Sequence, residues 1–225
     1  MQDSFDSHNN NDNRKYDYSG YRFTDRTEYE YISALVEPGS TVIDLGCGNG
    51  SLLQKLVLEK SVTGCGLELA ESGVQVCVSK GLNVKQGAID LPLEYSDNQF
   101  DYAICNVTIQ MVMAPEVLLK EMQRISKRQI VSFPNFGFYK NRIDMLLKGR
   151  MPKQMIFGYK WYSTGHIHQL SVKDFLELLF DTGNFKIIKH TFVGTNSRLK
   201  NYLMERFPNL FQTLPIFVLE KEKQS

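Results

Sequence analysis

Residues 42–50 read VIDLGCGNG: an apolar run ending in a carboxylate, Asp44, and then Gly46, Gly48 and Gly50 in G-x-G-x-G spacing before a helix-like segment. Glycines let a backbone turn tightly and approach a ligand closely, and a helix start adds N–H groups that lack partners within the helix. That is the chemistry of a loop that cradles a nucleotide-like ligand. Glu68 closes the next strand-like run, 20 residues after Gly48, where a carboxylate can accept both hydroxyls of a ribose. Each such charge-assisted bond is worth about 1.5–3 kcal/mol. The dinucleotide fingerprint is G-x-G-x-x-G, and here the third glycine comes one position early. A carboxylate at the end of strand one repels pyrophosphate and suits a cationic or amine-bearing ligand, so Asp44 favours S-adenosylmethionine over a nicotinamide dinucleotide. Taken alone, GCGNG also describes a tight strand-to-helix turn and Glu68 an ordinary strand-end acid. The combination carries the assignment.

Other polar groups stand past the carboxyl ends of strand-like runs, where open α/β sheets place their sites. Asn106 closes FDYAICN (100–106), and Asn135 lies in FPNF (133–136). Asn106 is followed by Val-Thr rather than by the Pro-Pro-aromatic run of amino-methylating DNA enzymes, which argues against DNA as a substrate. His166 and His168 form H-x-H, two ligands short of a zinc site unless acids join from elsewhere, so no metal is expected. His168 reads as a general base or as a hydrogen-bonding anchor of its loop. Asn106, Asn135 and His168 are thus the candidates for chemistry. Tyr139, Tyr159, Trp161 and Tyr162 line a pocket, dock a partner, or pack under a long loop. Arg142, Lys148, Arg150 and Lys153 hold a carboxylate or an acidic partner surface, or form a solvated helix face.

The elements that must position these groups alternate. A helical pattern over 21–36 stops at Pro38-Gly39, and strand-like TVIDL (41–45) follows. Then come helix-like 51–60, strand-like 62–68, helix-like 71–80, a short strand NVKQ, the turn-rich 91–99, strand 100–106, helix 115–126 and strand 129–133. Alternating β and α segments with nearly continuous apolar strands predict a doubly wound α/β fold with a mostly parallel sheet. Pro134–Gln169 breaks the rhythm and reads as an insertion over the sheet after strand five. SVKDFLELLFDTG (171–183) is a capped helix, 185–194 a strand, 197–207 a helix and 213–221 the last strand, for a seven-stranded sheet. The final two strands are expected to give a reversed edge strand.

The 225 residues suit one domain, here 21–225, and roughly 72% of the chain's surface would be buried on folding. Residues 1–20 are rich in Asn, Asp and Ser and are expected to be a disordered tail. Twenty-six basic against twenty-five acidic residues leave a net charge of +1, which gives no electrostatic grip on a phosphate backbone. No membrane span or secretory leader is evident, and four cysteines without metal spacing read as reduced thiols of a cytoplasmic protein.

DLGCGNG (44–50), Glu68 and LPLEYSDNQFDYAIC (91–105) resemble the class I S-adenosylmethionine-dependent methyltransferase fold, a Rossmann-like architecture, over about residues 30–133. IVSFPNFGFYKNRIDMLLKGRMP (130–152) and YKWYSTGHIHQLSVKDF (159–175) resemble more narrowly the methionine biosynthesis protein MetW family, with its FPNFG and GRMP segments and its W-Y-x-T-x-x-I-H loop. The resemblance implies S-adenosyl-L-methionine as cofactor and a cytoplasmic role in methionine biosynthesis beside homoserine O-acyltransferase. It makes Asp44, Gly46, Gly48 and Gly50 the cofactor loop and Glu68 the ribose acid. Many fold members have Gly-Asp-Ala where this chain has Gly87-Ala88, which leaves Asp90 as the acid to read the adenine amino group. Ala70 also departs from relatives that carry an acid there. Two functions stay open on these grounds, an accessory protein that supports homoserine acylation and an active small-molecule methyltransferase, with a nicotinamide-dependent oxidoreductase disfavoured.

Overall fold

The computed structural model describes residues 17–18, 26–152, 161 and 164–222. The polar tail, apart from Asp17 and Tyr18, lies outside these residues, as do Lys153, Tyr159 and Tyr162.

The chain alternates as expected: α1 (Thr27–Ser33), β1 (Thr41–Leu45), α2 (Ser51–Lys60), β2 (Thr63–Glu68), α3 (Glu71–Ser79), β3 (Asn83–Gln86), β4 (Phe100–Asn106), a 3₁₀ turn (Ile109–Met111), α4 (Pro115–Ile125) and β5 (Ser126–Ser132). After these come α5 (Tyr139–Lys148), α6 (Val172–Thr182), β6 (Phe185–Phe192), α7 (Arg198–Arg206), α8 (Pro208–Phe211) and β7 (Pro215–Lys221). The seven strands lie in the order β3-β2-β1-β4-β5-β7-β6. Strands β1 to β5 are parallel, and β7 runs antiparallel to both its neighbours.

Successive strand residues point to opposite faces, so each strand feeds two cores. Ile43, Leu45, Ala103, Cys105, Val131, Phe133, Phe217 and Leu219 pack against Leu118, Leu119 and Met122 of α4 and Phe175 and Leu179 of α6. The alternate residues Val42, Tyr102, Ile104, Ile130, Ile216 and Val218 pack against Tyr29 and Ile32 of α1 and Leu52 and Leu56 of α2. Burial of both faces explains the nearly continuous apolar strands.

The reversed strand is not at the edge as expected. β7 is inserted between β5 and β6, and β6 takes the edge. The physical reason is composition: Pro215 to Leu219 are buried without a break, whereas Lys186 to His190 of β6 are exposed. Charged side chains on β6 suit an edge, where unpaired backbone groups need protection. The α4–β5 junction is also tighter than expected, because Ser126 begins the strand directly and its Oγ donates to Met122 O at 2.7 Å.

The register sets the carboxyl ends of β2, β1 and β4 side by side, with Asp44 level with Gly66 on one side and Ile104 on the other. Every candidate cofactor residue except Asp90 lies on β1, on β2 or in the loop that follows β1.

Candidate ligand-binding site

The loop after β1 is built by three glycines with positive φ, +77° at Gly46, +57° at Gly48 and +71° at Gly50. A side chain at Gly46 would be strained in that conformation and would also stand 2.5 Å from Thr108 Cγ2, so the turn after β4 packs directly on this glycine. The loop is sewn to the end of β2. Gly46 N and Cys47 N donate to Leu67 O at 2.8 and 3.2 Å. Gly48 N donates to Glu68 Oε2 at 2.7 Å, and Ala70 N donates to Glu68 Oε1 at 2.9 Å. Glu68 is therefore buried and bridges two backbone segments, more of a structural member than a strand-end acid facing a cleft would be. Inside the loop, Cys47 packs inward with Cys77, Leu53 and Val84, and all four cysteines are free thiols.

Asp44 is 2% exposed. Burial, and then the nearby Glu68 carboxylate, push its pKa up to about 7. A buried carboxylate beside a second one is costly to ionise, and an incoming cation relieves that cost. Tyr29 of α1 is near enough to feel the Asp44 charge. Its hydroxyl is pushed up to about 12, chiefly by burial, while Arg26 opposes the shift and Asp44 and Glu28 add to it.

The turn after β4 forms the neighbouring wall. Asn106 Oδ1 accepts a hydrogen bond from Ser132 Oγ at the end of β5. Val107 takes φ of +54°, an outlier for a β-branched residue. That strain is held by neighbours: Val107 N donates to Ser132 O at 2.9 Å, and Gln110 Nε2 donates to Val107 O at 2.8 Å. Backbone strain of this kind costs on the order of 1–3 kcal/mol and clusters at functional sites. Thr108 Oγ1 donates to Asn106 O at 3.0 Å. His168 arrives from the loop before α6: Ile167 N and His168 N both donate to Gln110 O, at 2.9 and 3.0 Å, so the loop is anchored to this turn. The His168 Nε2 and Gln110 Oε1 atoms are buried without a hydrogen-bond partner among the described residues. His166 is separate, its ring set edge-on to Phe136 at 5.9 Å and its pKa lowered to about 4 by burial. Among the described residues no cluster of three or more metal-ligating side chains occurs.

Two predicted residues are placed in the scaffold. Asn135 is fully buried, with Nδ2 donating to Gln212 O at 2.8 Å and Asn209 O at 3.2 Å while Oδ1 accepts from Gly137 N at 2.9 Å. It pins the chain after β5 to the segment before β7. Asp90 is buried and its Oδ2 accepts from Met113 N at 2.8 Å and Ala114 N at 3.2 Å, which anchors its loop to the start of α4. Tyr139 packs on Phe138 and Phe211, whereas Trp161 is 72% exposed. Arg142 donates to Gly137 O and Asn209 O, and Lys148 pairs with Asp144, so both are engaged locally.

Asp44, the glycine loop and Glu68 thus lie side by side at the carboxyl ends of β1 and β2. Sequence reasoning missed Val107, Gln110, Ser132 and Tyr29, whose roles depend on contacts across the sheet that no local pattern announces.

Comparison with known proteins agrees with this geometry. The family described as "Methionine biosynthesis protein MetW" matches residues 26–219. A curated relative from Rhodopirellula baltica, the bifunctional methionine biosynthesis protein MetXA/MetW, is 34% identical over 164 residues, 67% of this chain and 26% of the relative. The chain therefore spans about a quarter of that relative's length. Among solved structures, the complex of the Haloferax volcanii Trm112 methyltransferase activator with a putative methyltransferase matches at 18% identity, covering 88% of this chain and 90% of that one, with a TM-score of 0.63. A Thermotoga maritima S-adenosylmethionine-dependent methyltransferase, described as a possible histamine N-methyltransferase, matches at 19% identity over 88% of each chain with a TM-score of 0.59. At such identities the likeness shows the fold, a methyltransferase-type Rossmann-like sheet.

Proposed function

The chain belongs to the MetW family of methionine biosynthesis proteins, and from that premise we propose that it binds S-adenosylmethionine and supports a homoserine O-acyltransferase. The single observation that carries the ligand reading is the convergence of Asp44 and Glu68 on one glycine loop. Asp44 would hold the cationic, amine-bearing part of the ligand, and Glu68 would accept the ribose hydroxyls. The glycine loop would let the backbone pass close beneath them, and Asp90 would hold the adenine side through its loop. When bound, S-adenosylmethionine supplies an activated methyl group. The residues of this chain bind it, orient it and keep water from its charged centre.

The acyltransferase link is supported by the relative in which a MetXA part and a MetW part share one chain. An exposed apolar stripe on α5 suits a protein partner: Ile143, Leu146 and Leu147 stand one helical turn apart on one face, and Leu146 is 83% exposed. Trp161 adds an exposed aromatic anchor of the kind that dominates interfaces. A biosynthetic role of this kind suits a cytoplasmic setting, and no described helix is long and apolar enough to cross a membrane. The test is the acylation rate of a purified homoserine O-acyltransferase with and without this chain, each with and without S-adenosylmethionine. The reading expects a higher rate with the chain present, and an unchanged rate together with no co-purification would overturn it.

A second reading, active methyl transfer to a small molecule, is favoured by one observation. Buried polar atoms of Gln110 and His168 gather at the turn after β4, beside the glycine loop. His168 would be the base in that case, and Asn106 would orient the acceptor. Transfer of an isotopically labelled methyl group to metabolite amines or hydroxyls, lost in His168→Ala, is its test.

A further inference from the structure

Tyr18 stands far upstream of the glycine loop in sequence, yet its ring is packed on that loop. Its backbone N donates to Ser72 Oγ at 3.0 Å, which ties this residue to the first turn of α3. The ring atoms Cε1 and Cζ and the hydroxyl Oη lie 3.4 to 3.5 Å from the position a Cβ on Gly48 would take. A Cβ on Gly73 would meet Gly48 O at 2.8 Å, Glu68 Cγ at 2.9 Å and Tyr18 Cδ2 at 3.1 Å. One point in space is therefore bounded by the glycine loop, by Glu68 and by Tyr18. Gly73 also explains itself here: glycine weakens a helix, and this one sits inside α3 where the loop carbonyl and the aromatic ring leave no room for a side chain.

We propose that Tyr18 is a wall of the ligand site, closing its ribose end with an aromatic surface. This rests on the ligand reading above and adds to it a residue from outside the Rossmann-like core. The chemistry is that of nucleoside recognition. An aromatic ring presents a face on which the flat and apolar parts of a nucleoside stack. By covering Glu68 it also lowers the local dielectric, so that hydrogen bonds from ribose hydroxyls to that carboxylate strengthen. Tyr18 is half-buried, and it belongs to neither main core. Its removal should therefore act on the ligand and not on the fold.

The experiment is calorimetric titration of the full chain with S-adenosylhomocysteine and, separately, with adenosine, for wild type, Tyr18→Ala and Tyr18→Phe, alongside thermal melts of the ligand-free proteins. Tyr18→Ala should weaken both ligands on the order of tenfold while Tyr18→Phe stays within about twofold of wild type. The ligand-free melting temperatures should agree. Tyr18→Ala binding as well as wild type, or more tightly, overturns the proposal, the latter because the ring would then be a plug. Equal losses in both variants would move the contact to the hydroxyl and overturn the aromatic wall. Failure of wild type to bind either ligand overturns the ligand reading itself, and this inference with it. As a second measurement, Tyr18→Trp should show a ligand-dependent fluorescence change that wild type, with Trp161 alone, does not show.

Discussion

At the scale of single residues, Asp44 decides between structural and functional accounts of the glycine loop. Its pKa rises from the ordinary carboxylate range to about 7 through burial and the charge of Glu68. The folded protein thus holds a proton that the unfolded chain releases near pH 4. Stability contributed by this site is present below that value and falls as pH rises from about 4 to about 7. Asp44→Asn removes the buried charge and should stabilise the protein at pH 8 by a few kcal/mol while leaving it nearly unchanged at pH 4, measured by urea midpoints. A buried carboxylate of this kind suits a cationic ligand. Because a cation favours the ionised form, affinity for S-adenosylmethionine should rise between pH 6 and 8, and proton release should be measurable by titration in buffers of different ionisation enthalpy. Glu68 is a different case, because it holds Gly48 N and Ala70 N. Glu68→Gln keeps one acceptor oxygen and should lose about 1–2 kcal/mol of stability, with binding weakened on the order of tenfold. Unchanged affinity would remove the ribose assignment.

At the scale of elements, the site depends on how the loop after β1 meets the turn after β4. Gly46→Ala would force a side chain against Thr108 at a positive φ, with a predicted cost of about 1–3 kcal/mol. Adding Thr108→Ser removes the methyl that the new Cβ meets, so the double variant should recover part of that loss in denaturant melts, the remainder being backbone strain. Full additivity of the two changes would show that the contact does not matter. Much of this level was legible in the sequence. The β/α alternation, the glycine loop and the acid at the end of β2 are local patterns, and so is the start of α6, where Ser171 and Asp174 form a reciprocal cap. What was not legible is long-range. The place of β7 inside the sheet depends on which of two late strands can be buried on both faces, a choice that appears only when β5 is seen to need a neighbour. Asn135 looked like a site residue because of its position after β5, but its amide spans to Asn209 and Gln212. Val107 carries no mark of strain in its sequence, and Gln110 looks like any helix-face polar residue until its burial is known.

At the scale of the whole molecule, the proposed roles fall in two places, the carboxyl ends of β2, β1 and β4 for the ligand and the exposed apolar residues of α5 and Trp161 for a partner. The net charge of +1 gives the molecule as a whole no strong long-range field. Trp161→Ala and Leu146→Asp should each lower association with the acyltransferase roughly tenfold or more and leave S-adenosylhomocysteine affinity unchanged, as read by co-purification and titration on the same preparations. Loss of ligand affinity in either variant would contradict the separation of the two roles. The central claim is that the glycine loop with Asp44 and Glu68 is a site for S-adenosylmethionine, and calorimetric titration of wild type and Asp44→Asn with S-adenosylmethionine and NAD at pH 8 tests it most directly. The account predicts saturable binding of S-adenosylmethionine, none of NAD, and a loss of affinity in Asp44→Asn despite its greater stability. Binding of NAD in preference, or S-adenosylmethionine affinity indifferent to Asp44, would contradict it.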